Sequence, residues 1–373
     1  MTKVAVVKVN SYNYNEVEGG LKEALDLLGG ITAFVKPGNR VLIKPNMVDG
    51  LTPDKAATTH PEFVRAVICA VREIGATPVV GDSPGVLSCQ RAAEKCGILA
   101  VCQEENVELL PFKEITELTY PSGKIIKKAS VAQDLLTIDK VISLAKMKTH
   151  TLMGVTGAVK NLFGVIVGPH KAQYHLRMRK RSDFAAMLVE LNEMVKPVLY
   201  LVDGIIGMEG DGPRNGKPIG TGIIIAGTNG YAVDLVMADK MGFPAEKMPV
   251  SVQALLRGLS PRLTDIEVVG SGKAEQFNYL EPRTLEFLDG RLPSWLVNFG
   301  QNQLTARPIS TDICTACGRC IRHCPPQAMS VDKGKVQIDY DLCIRCYCCQ
   351  ELCPNDAIRL QDGMLLSLVK RIW

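Results

Sequence analysis

Two cysteine runs of identical spacing organise the C-terminal region, and they read Cys314-Thr315-Ala316-Cys317-Gly318-Arg319-Cys320-Ile321-Arg322-His323-Cys324-Pro325 and Cys343-Ile344-Arg345-Cys346-Tyr347-Cys348-Cys349-Gln350-Glu351-Leu352-Cys353-Pro354. Each run has two residues between its first three ligand-spaced cysteines, three residues before the fourth, and a proline after it. The residues that follow repeat as well, since Pro325-Pro326-Gln327-Ala328-Met329 aligns with Pro354-Asn355-Asp356-Ala357-Ile358. The repeat predicts two similar units, each with a ligand loop, a short helix and a strand.

This spacing is typical of [4Fe–4S] clusters, each of which needs four thiolate ligands. Three cysteines of one tight loop reach three corners of one cluster, and the fourth cysteine of each run ligates the other cluster. The predicted ligands are Cys314, Cys317, Cys320 and Cys353 for the first cluster, and Cys343, Cys346, Cys349 and Cys324 for the second. Cys348 lies between two predicted ligands without changing their spacing, so we interpret it as a thiol near the cluster.

Two other uses of the cysteines fit the pattern less well. Disulfide frameworks are typical of short secreted chains, whereas this chain has 373 residues and its first nine residues do not form a signal peptide. Zinc sites use four ligands, typically in two separated pairs. Residues 306–362 resemble a bacterial two-cluster ferredoxin, and this resemblance implies two [4Fe–4S] clusters and a role in electron transfer.

The composition predicts a globular protein of two or three domains. Hydrophobic residues make up 46% and charged residues 22% of the chain, and the net charge is only +4. Such a small charge gives no strong field for nucleic acid or for a membrane surface, so we expect no nucleic-acid partner. No segment approaches the ~20 apolar residues of a membrane span. Because cluster thiolates need a reducing compartment, we expect a cytoplasmic protein; the oligomeric state is left open.

Predicted strands alternate with predicted helices in the first part of the chain. The strands read as continuous apolar runs, at residues 3–9, 40–44, 78–82, 138–144, 198–203 and 222–226. This pattern predicts an α/β domain over residues 1–269, with a mainly parallel sheet covered by helices on both faces. We predict a connector at residues 270–305, a small α+β ferredoxin-like domain at residues 306–362, and a tail at residues 363–373.

Polar residues cluster where these predicted strands end, which is where parallel sheets bind ligands. We predict that a small anionic substrate binds there and that His150, Lys148 and Lys160 act in catalysis, with His150 moving a proton. The predicted cofactor-binding residues are Lys44, Asn46, His60, Asp82 and Asn161. The alternative is that the lysines are surface charges, that His150 is a hydrogen-bonded loop residue, and that His60 only starts a helix.

Several of these segments resemble one family, catalogued as domain of unknown function 362. They are Val41-Leu42-Ile43-Lys44-Pro45-Asn46, Thr59-His60-Pro61-Glu62, Lys146-Met147-Lys148-Thr149-His150, Thr156-Gly157-Ala158-Val159-Lys160-Asn161, and Asp203-Gly204 with Met208-Glu209-Gly210-Asp211-Gly212-Pro213. The resemblance covers roughly residues 30–260. The family occurs in bacteria and archaea, often fused to a C-terminal two-cluster ferredoxin, so the resemblance implies this domain layout and no particular reaction.

Three functions remain open at this point. The first is an oxidoreductase that exchanges electrons between a soluble donor or acceptor and a substrate in the α/β domain. The second is an electron-transfer subunit that docks a separate redox enzyme. The third is a redox-sensing or cluster-handling binding protein. An oxidoreductase requires a pocket where the strand-end residues converge. An electron-transfer subunit requires an exposed docking patch near the clusters and no such pocket.

Overall fold

The fold was analysed in a computed structural model of the protein. The structure describes residues 1–168, 170–280 and 306–363. Most of the predicted connector, from residue 281 to 305, and the predicted tail from residue 364 lie outside the described residues. Within the described ranges, no helix combines the length and apolar character that crossing a bilayer requires.

The described residues form α-helices, 3₁₀ turns and strands. The strands are β1 (Thr2–Lys8), β2 (Arg40–Pro45), β3 (Thr77–Val80), β4 (Glu108–Leu109), β5 (Ile115–Thr119), β6 (Lys128–Ala132), β7 (Lys140–His150), β8 (Gly154–Thr156), β9 (Leu199–Glu209), β10 (Lys217–Gly227), β11 (Ile266–Val269), β12 (Arg307–Ser310), β13 (Met329–Asp332), β14 (Lys335–Ile338) and β15 (Ile358–Gln361). The helices are α1 (Tyr14–Leu27), α2 (Pro61–Glu73), α3 (Cys89–Lys95), α4 (Ile98–Glu104), α5 (Ala158–Asn161), α6 (His170–Arg177), α7 (Arg181–Val195), α8 (Gly230–Lys240), α9 (Pro249–Leu256), α10 (Arg319–Arg322) and α11 (Cys348–Leu352). The 3₁₀ turns are Ile31–Ala33, Pro53–Lys55, Gln133–Thr137, Leu162–Val165, Ala245–Lys247 and Leu263–Asp265.

One large sheet forms the centre of the first domain. Its strand order is β11-β1-β10-β9-β7-β2-β3-β4, with β8 paired to β7. The pairs β11–β1, β9–β7, β7–β2, β2–β3 and β3–β4 are parallel, and β10 is antiparallel to both of its neighbours. The prediction of a mainly parallel sheet is confirmed, with β10 and the short β8 as its antiparallel members. A separate ribbon pairs β5 with β6.

Helices cover both faces of this sheet, as predicted. Alternate residues of a strand point to opposite faces, and Ile43 therefore packs with α1 to α4 while its neighbour Leu42 packs against α7. The next strand repeats this arrangement, since Ile142 belongs to the first core and Val141 to the second. A third cluster joins α8 to β1, β9 and β10. Both faces are therefore buried, which explains the continuous apolar runs of the sequence.

Strand β7 is longer than the sequence pattern indicates. The predicted strand ends at Leu144 and is followed by a polar loop, whereas β7 continues to His150. Lys146, Lys148 and His150 are alternate residues of this extension, and each is almost completely buried. A buried strand can carry such residues only when they are hydrogen-bonded or paired, so apolar patterning alone does not identify this part of the strand.

The C-terminal domain is a small α+β unit whose backbone repeats. Strand β12 pairs with β15 and β13 with β14, both antiparallel. Residues with left-handed φ recur 29 positions apart, and the pairs are Ala316 (48°) and Arg345 (53°), Gly318 (73°) and Tyr347 (61°), and Gln327 (54°) and Asp356 (51°). The predicted cysteine ligands have the same offset, since 343 − 314 and 353 − 324 are both 29. The two ligand loops therefore share one backbone conformation.

Candidate active site between the two domains

A large cavity lies between the carboxyl edge of the sheet and the C-terminal domain. Its empty volume is about 990 Å³, part of which is open to solvent. The predicted site residues among its walls are Asn46, Asp82, Lys148, Lys160 and Asn161. The C-terminal domain contributes His323, Cys348, Glu351 and Leu352. Five of the eight predicted catalytic and cofactor-binding residues thus meet in one cavity.

Lys44 stands directly behind this cavity and is fully buried. Its ammonium group donates to Asp82 Oδ1 (2.7 Å), to Asn161 Oδ1 (3.2 Å) and to the carbonyl of Pro45 (3.0 Å). Burial lowers the pKa of Lys44, and the carboxylate of Asp82 opposes that shift. Because an ammonium group has three donors, Lys44 is saturated and orients Asp82 and Asn161.

Lys148 projects from β7 into the cavity and forms no ion pair with a carboxylate of the residues that the structure describes. Its Nζ donates to Asn46 Oδ1 (3.0 Å) and to the carbonyl of Ala57 (2.6 Å), which leaves one N–H. Burial and then the nearby charge of Lys160 lower its pKa well below the usual range. An anion at the remaining N–H would favour the charged form of Lys148.

Lys160 and Thr156 supply two further donors beside Lys148. Thr156 Oγ1 is buried and has no hydrogen-bond partner among the described residues. Half-buried Lys160 likewise makes no hydrogen bond or ion pair with the part of the chain that the structure describes. Burial lowers the pKa of Lys160, and the carboxylate of Glu351 opposes that shift. The cavity therefore has unused hydrogen-bond donors at one wall.

Lys171 on α6 lines the same cavity but has a different role. Its Nζ donates to the carbonyls of Ser83, Pro84 (3.3 Å) and Ile166 (2.7 Å), so all three donors are used. Burial lowers the pKa of Lys171 to about 7. Lys171 thus fixes the loop that follows β3 rather than offering a donor to a ligand.

His150 joins the sheet to the C-terminal domain. Its Nδ1 accepts hydrogen bonds from the amides of Leu152 (3.0 Å) and Met153 (3.4 Å). Its Nε2 lies 3.2 Å from Glu351 Oε1, although the angles fall outside those of a hydrogen bond. Burial, followed by the charge of Lys160, lowers the pKa of His150 to about 4, so the imidazole is neutral at pH 7. His150 contacts a wall residue of the cavity and not the cavity itself.

His60 lies apart from the cavity walls. Its ring stacks on Tyr12 with a centroid distance of 3.5 Å, and its Nδ1 accepts from the amide of Glu62 at the start of α2. Burial lowers the pKa of His60 to about 4. The same cluster contains Asp203, which binds Lys146 Nζ (2.8 Å) and the Tyr12 hydroxyl (2.7 Å). The structure therefore places His60 in a largely buried polar network and not among the walls of the cavity.

The predicted ligands of the first cluster converge on one small cavity. Its empty volume is about 290 Å³, and its walls include Cys314, Cys317, Cys320 and Cys353. Cys353 comes from the second run, as the spacing rule requires. No set of three or more His, Cys, Asp or Glu within residues 1–168, 170–280 and 306–363 is arranged to hold a single metal ion. Four cysteines around one cavity fit a cluster with four thiolate ligands.

The predicted ligands of the second cluster also lie close together. Burial and then the neighbouring thiols of Cys346, Cys343, Cys320 and Cys324 raise the pKa of Cys349 well above its usual value. In both halves an amide donates to the fourth cysteine, from Ala328 to Cys324 Sγ (3.3 Å) and from Ala357 to Cys353 Sγ (3.2 Å). Such N–H···S bonds tune the potential of a bound cluster.

The second cysteine loop adjoins the large cavity. Cys348 lines that cavity, and Cys346 lines a small pocket together with His175, which also lines the large cavity. Four further residues line the large cavity without being predicted as site residues from the sequence: Thr156, which lies in one of the family-like segments, and Lys171, His175 and Glu351. Glu351 gives no signal of its own in the sequence, because its role depends on how the two domains meet.

The fold and the cysteine loops define an iron–sulfur protein whose ferredoxin-like domain is joined to an α/β domain. The family described as "Domain of unknown function (DUF362)" matches residues 41–239, and the "4Fe-4S dicluster domain" matches residues 308–354. The chain belongs to the DUF362 family. It is 32% identical over 300 residues to the "Thylakoid-associated protein sll1697" of Synechocystis sp., and the match covers 80% of this chain and 90% of that protein.

A solved structure of the lactate racemase apoprotein from Thermoanaerobacterium thermosaccharolyticum is also similar, with a TM-score of 0.36 and 13% identity. The match covers 60% of this chain and 54% of that one.

Proposed function

We propose that the protein is a ferredoxin-type oxidoreductase, which transfers single electrons between a soluble donor or acceptor and a small anionic substrate or cofactor through two [4Fe–4S] clusters. One observation carries the proposal. The large cavity has Lys148 and Lys160 at one wall and Cys348, from the second cysteine loop, at another. A ligand held by the lysines would therefore lie next to the predicted second cluster.

The charges of the cavity favour an anion. Asp82 is paired with Lys44 at 2.7 Å, Asp49 lies 3.2 Å from Arg319, and Glu351 lies beside His150. Lys148 and Lys160, in contrast, form no ion pair with a carboxylate of the described residues. A carboxylate or phosphate would accept from Lys160 Nζ, from the remaining N–H of Lys148 and from Thr156 Oγ1. Charge-assisted hydrogen bonds of this kind are about twice as strong as neutral ones.

The predicted ligand sets also provide an outer entry point for electrons. Cys317, in the first set, is exposed, whereas Cys353 of the same set is buried and follows Leu352, which lines the large cavity. Clusters held by these cysteines would supply one-electron chemistry. We propose that a soluble carrier meets the exposed loop and that the substrate meets the second loop.

The cavity favours this proposal over an electron-transfer subunit without chemistry of its own, because such a subunit does not need a lysine-lined pocket between its domains. All thirteen cysteines lie within the described residues, and none of them forms a disulfide, as cluster ligation requires. We therefore propose a reducing compartment such as the cytoplasm. The thylakoid association in the relative's name belongs to that protein.

The proposal can be tested by reoxidation of the reduced protein. Protein purified without oxygen is reduced with dithionite, freed of excess reductant, and mixed with the low-molecular-weight fraction of a cell extract while its visible spectrum is recorded. We expect a fraction that reoxidises the wild type much faster than Lys160→Gln, and a control variant at an exposed lysine of α1, Lys22→Gln, that behaves like wild type. Equal reoxidation of wild type and Lys160→Gln by every fraction would contradict the proposal.

A further inference from the structure

An open groove adjoins the large cavity. The two share Ser83, Gly85, Gly168 and His323 among their walls, so they lie side by side. The empty volume of the groove is about 1430 Å³, part of it open to solvent. A ligand in the cavity that extends past these shared residues would enter the groove.

The groove is lined mainly by apolar side chains, in contrast to the lysine wall of the cavity. Its apolar residues are Pro84, Val86, Leu87, Leu99, Leu109, Pro111, Phe112 and Val167. Lys113 and His323 are its basic members, and no carboxylate is found among the described residues that line it. Apolar surface of this extent beside a polar site is typical of a ligand-binding groove.

The loop between the cavity and the groove is held in place by hydrogen bonds. The amide of Ser83 donates to the Gly164 carbonyl (2.8 Å), and the amide of Gly85 donates to the Val48 carbonyl (3.1 Å). The amide of Leu87 donates to Asp49 Oδ1 (3.1 Å). Leu87 is thus presented to the groove by a backbone that these hydrogen bonds hold in place.

We infer that the ligand is an anionic amphiphile, with a carboxylate or phosphate at Lys148, Thr156 and Lys160 and an apolar chain or ring system in the groove. This inference rests on the proposed use of the cavity as an anion site. A small anion alone would leave the apolar groove in water, whereas an apolar body would bury part of it at about 25 cal/mol per Å². The groove therefore selects for an apolar body, and the lysines select for the charge.

The test measures binding without electron transfer, so that it is independent of the redox proposal. Butyrate, dodecanoate and dodecyl phosphate are titrated calorimetrically into the iron-loaded full chain, below their micelle concentrations. Dodecanoate has eight more methylenes than butyrate, and each methylene that the groove buries strengthens binding. Because the groove is open on one side, we expect dodecanoate to bind at least about a hundredfold more tightly than butyrate. The ratio of the affinities for dodecyl phosphate and dodecanoate identifies the preferred head group.

Two variants separate the parts of the site. Lys160→Gln should lower the affinities for butyrate and dodecanoate by the same factor. Leu87→Asp should lower the affinity for dodecanoate about tenfold or more and leave the affinity for butyrate unchanged. Val86→Ser, a milder change in the same groove, gives a second test if Leu87→Asp does not fold. If butyrate and dodecanoate bind with equal affinity and both still require Lys160, the inference of an amphiphilic ligand is wrong, whereas the proposed anion site is supported. Loss of all Lys160 dependence would contradict the anion site itself.

Discussion

Lys148 and Thr156 are directly opposite each other in the hairpin of β7 and β8. Opposite residues of an antiparallel pair project to the same side, so both side chains face the cavity, which both of them line. Lys160 follows in the short helix α5, four positions after Thr156. A single hairpin with its adjoining helix therefore carries three donors of the proposed anion site.

Lys160 and Lys171 offer a matched pair of substitutions at the same cavity. Lys160→Gln removes a cation without a described protein partner, so we expect anion affinity to fall at least about tenfold with little change in stability. Lys171→Gln removes the donor to three carbonyls, so we expect the free energy of unfolding to fall by about 1–3 kcal/mol. Urea unfolding and calorimetric titration distinguish the two effects. A large loss of stability in Lys160→Gln would show that it has a structural role.

Cys349 and Cys348 are adjacent residues with different predicted roles. Cys349→Ala should remove a ligand of the second cluster and lower the iron content from about eight to about four per chain. Cys348→Ala should retain about eight, because Cys348 is not in the ligand spacing. Iron and sulfide analysis after identical anaerobic purification provides the measurement. If Cys348→Ala lost iron and Cys349→Ala retained it, Cys348 would be the cluster ligand and Cys349 the additional thiol.

Acidification should destabilise the protein in part through His175, which packs on Phe184 at 4.5 Å. Burial is the main cause of its low pKa, about 4 against an ordinary 6.5. The folded state thus binds fewer protons than the unfolded state between pH 6.5 and about 4, and stability falls as the pH falls through that range. Between pH 6.5 and about 4, the free energy of unfolding of His175→Phe should therefore fall by up to about 3 kcal/mol less than that of the wild type.

The comparison with His175→Phe is needed because Asp234 acts in the opposite direction. Burial raises the pKa of Asp234 to about 7, so its contribution to stability rises as the pH falls towards 3.8. The difference between wild type and variant isolates His175. Parallel pH profiles of unfolding free energy would contradict its assignment as a buried neutral imidazole.

Asp203 is the centre of the buried network that holds His60 away from the cavity. It accepts from Lys146 Nζ, from the Tyr12 hydroxyl and from the His60 amide (2.9 Å). Asp203→Leu should lower the free energy of unfolding by about 3–5 kcal/mol, because it leaves a buried ammonium group without its partner. Adding Lys146→Met should restore much of the loss. Chemical denaturation of the single and double variants measures this coupling, and additive losses would argue against it.

The sequence pattern predicts the sheet and the cysteine sets but not the path of every strand. Continuous apolar runs identify β1, β2 and the first half of β7, since both faces of the sheet are buried. Lys146, Lys148 and His150 conceal the second half of β7, because their burial depends on partners that are distant in sequence, such as Asp203 and Asn46.

The candidate site was predictable in part for the same reason. Strand ends share one edge, which brings Asn46, Asp82 and Lys148 together. The wall formed by Glu351 and Cys348 was not predictable, because nothing in local spacing indicates that the C-terminal domain closes the cavity. His60 is a predicted site residue that has a structural explanation instead, because it caps the start of α2 and its ring stacks on Tyr12.

The most direct test of the whole account is a dithionite titration of the anaerobically purified chain, with iron and sulfide measured on the same sample. We predict about eight iron and eight sulfide per chain and two one-electron reductions. Under these conditions, addition of dodecanoate should alter the spectrum of the reduced wild type and not that of Lys160→Gln. Fewer than about four iron after reconstitution, or zinc in their place, would contradict the two-cluster assignment on which the proposed function depends.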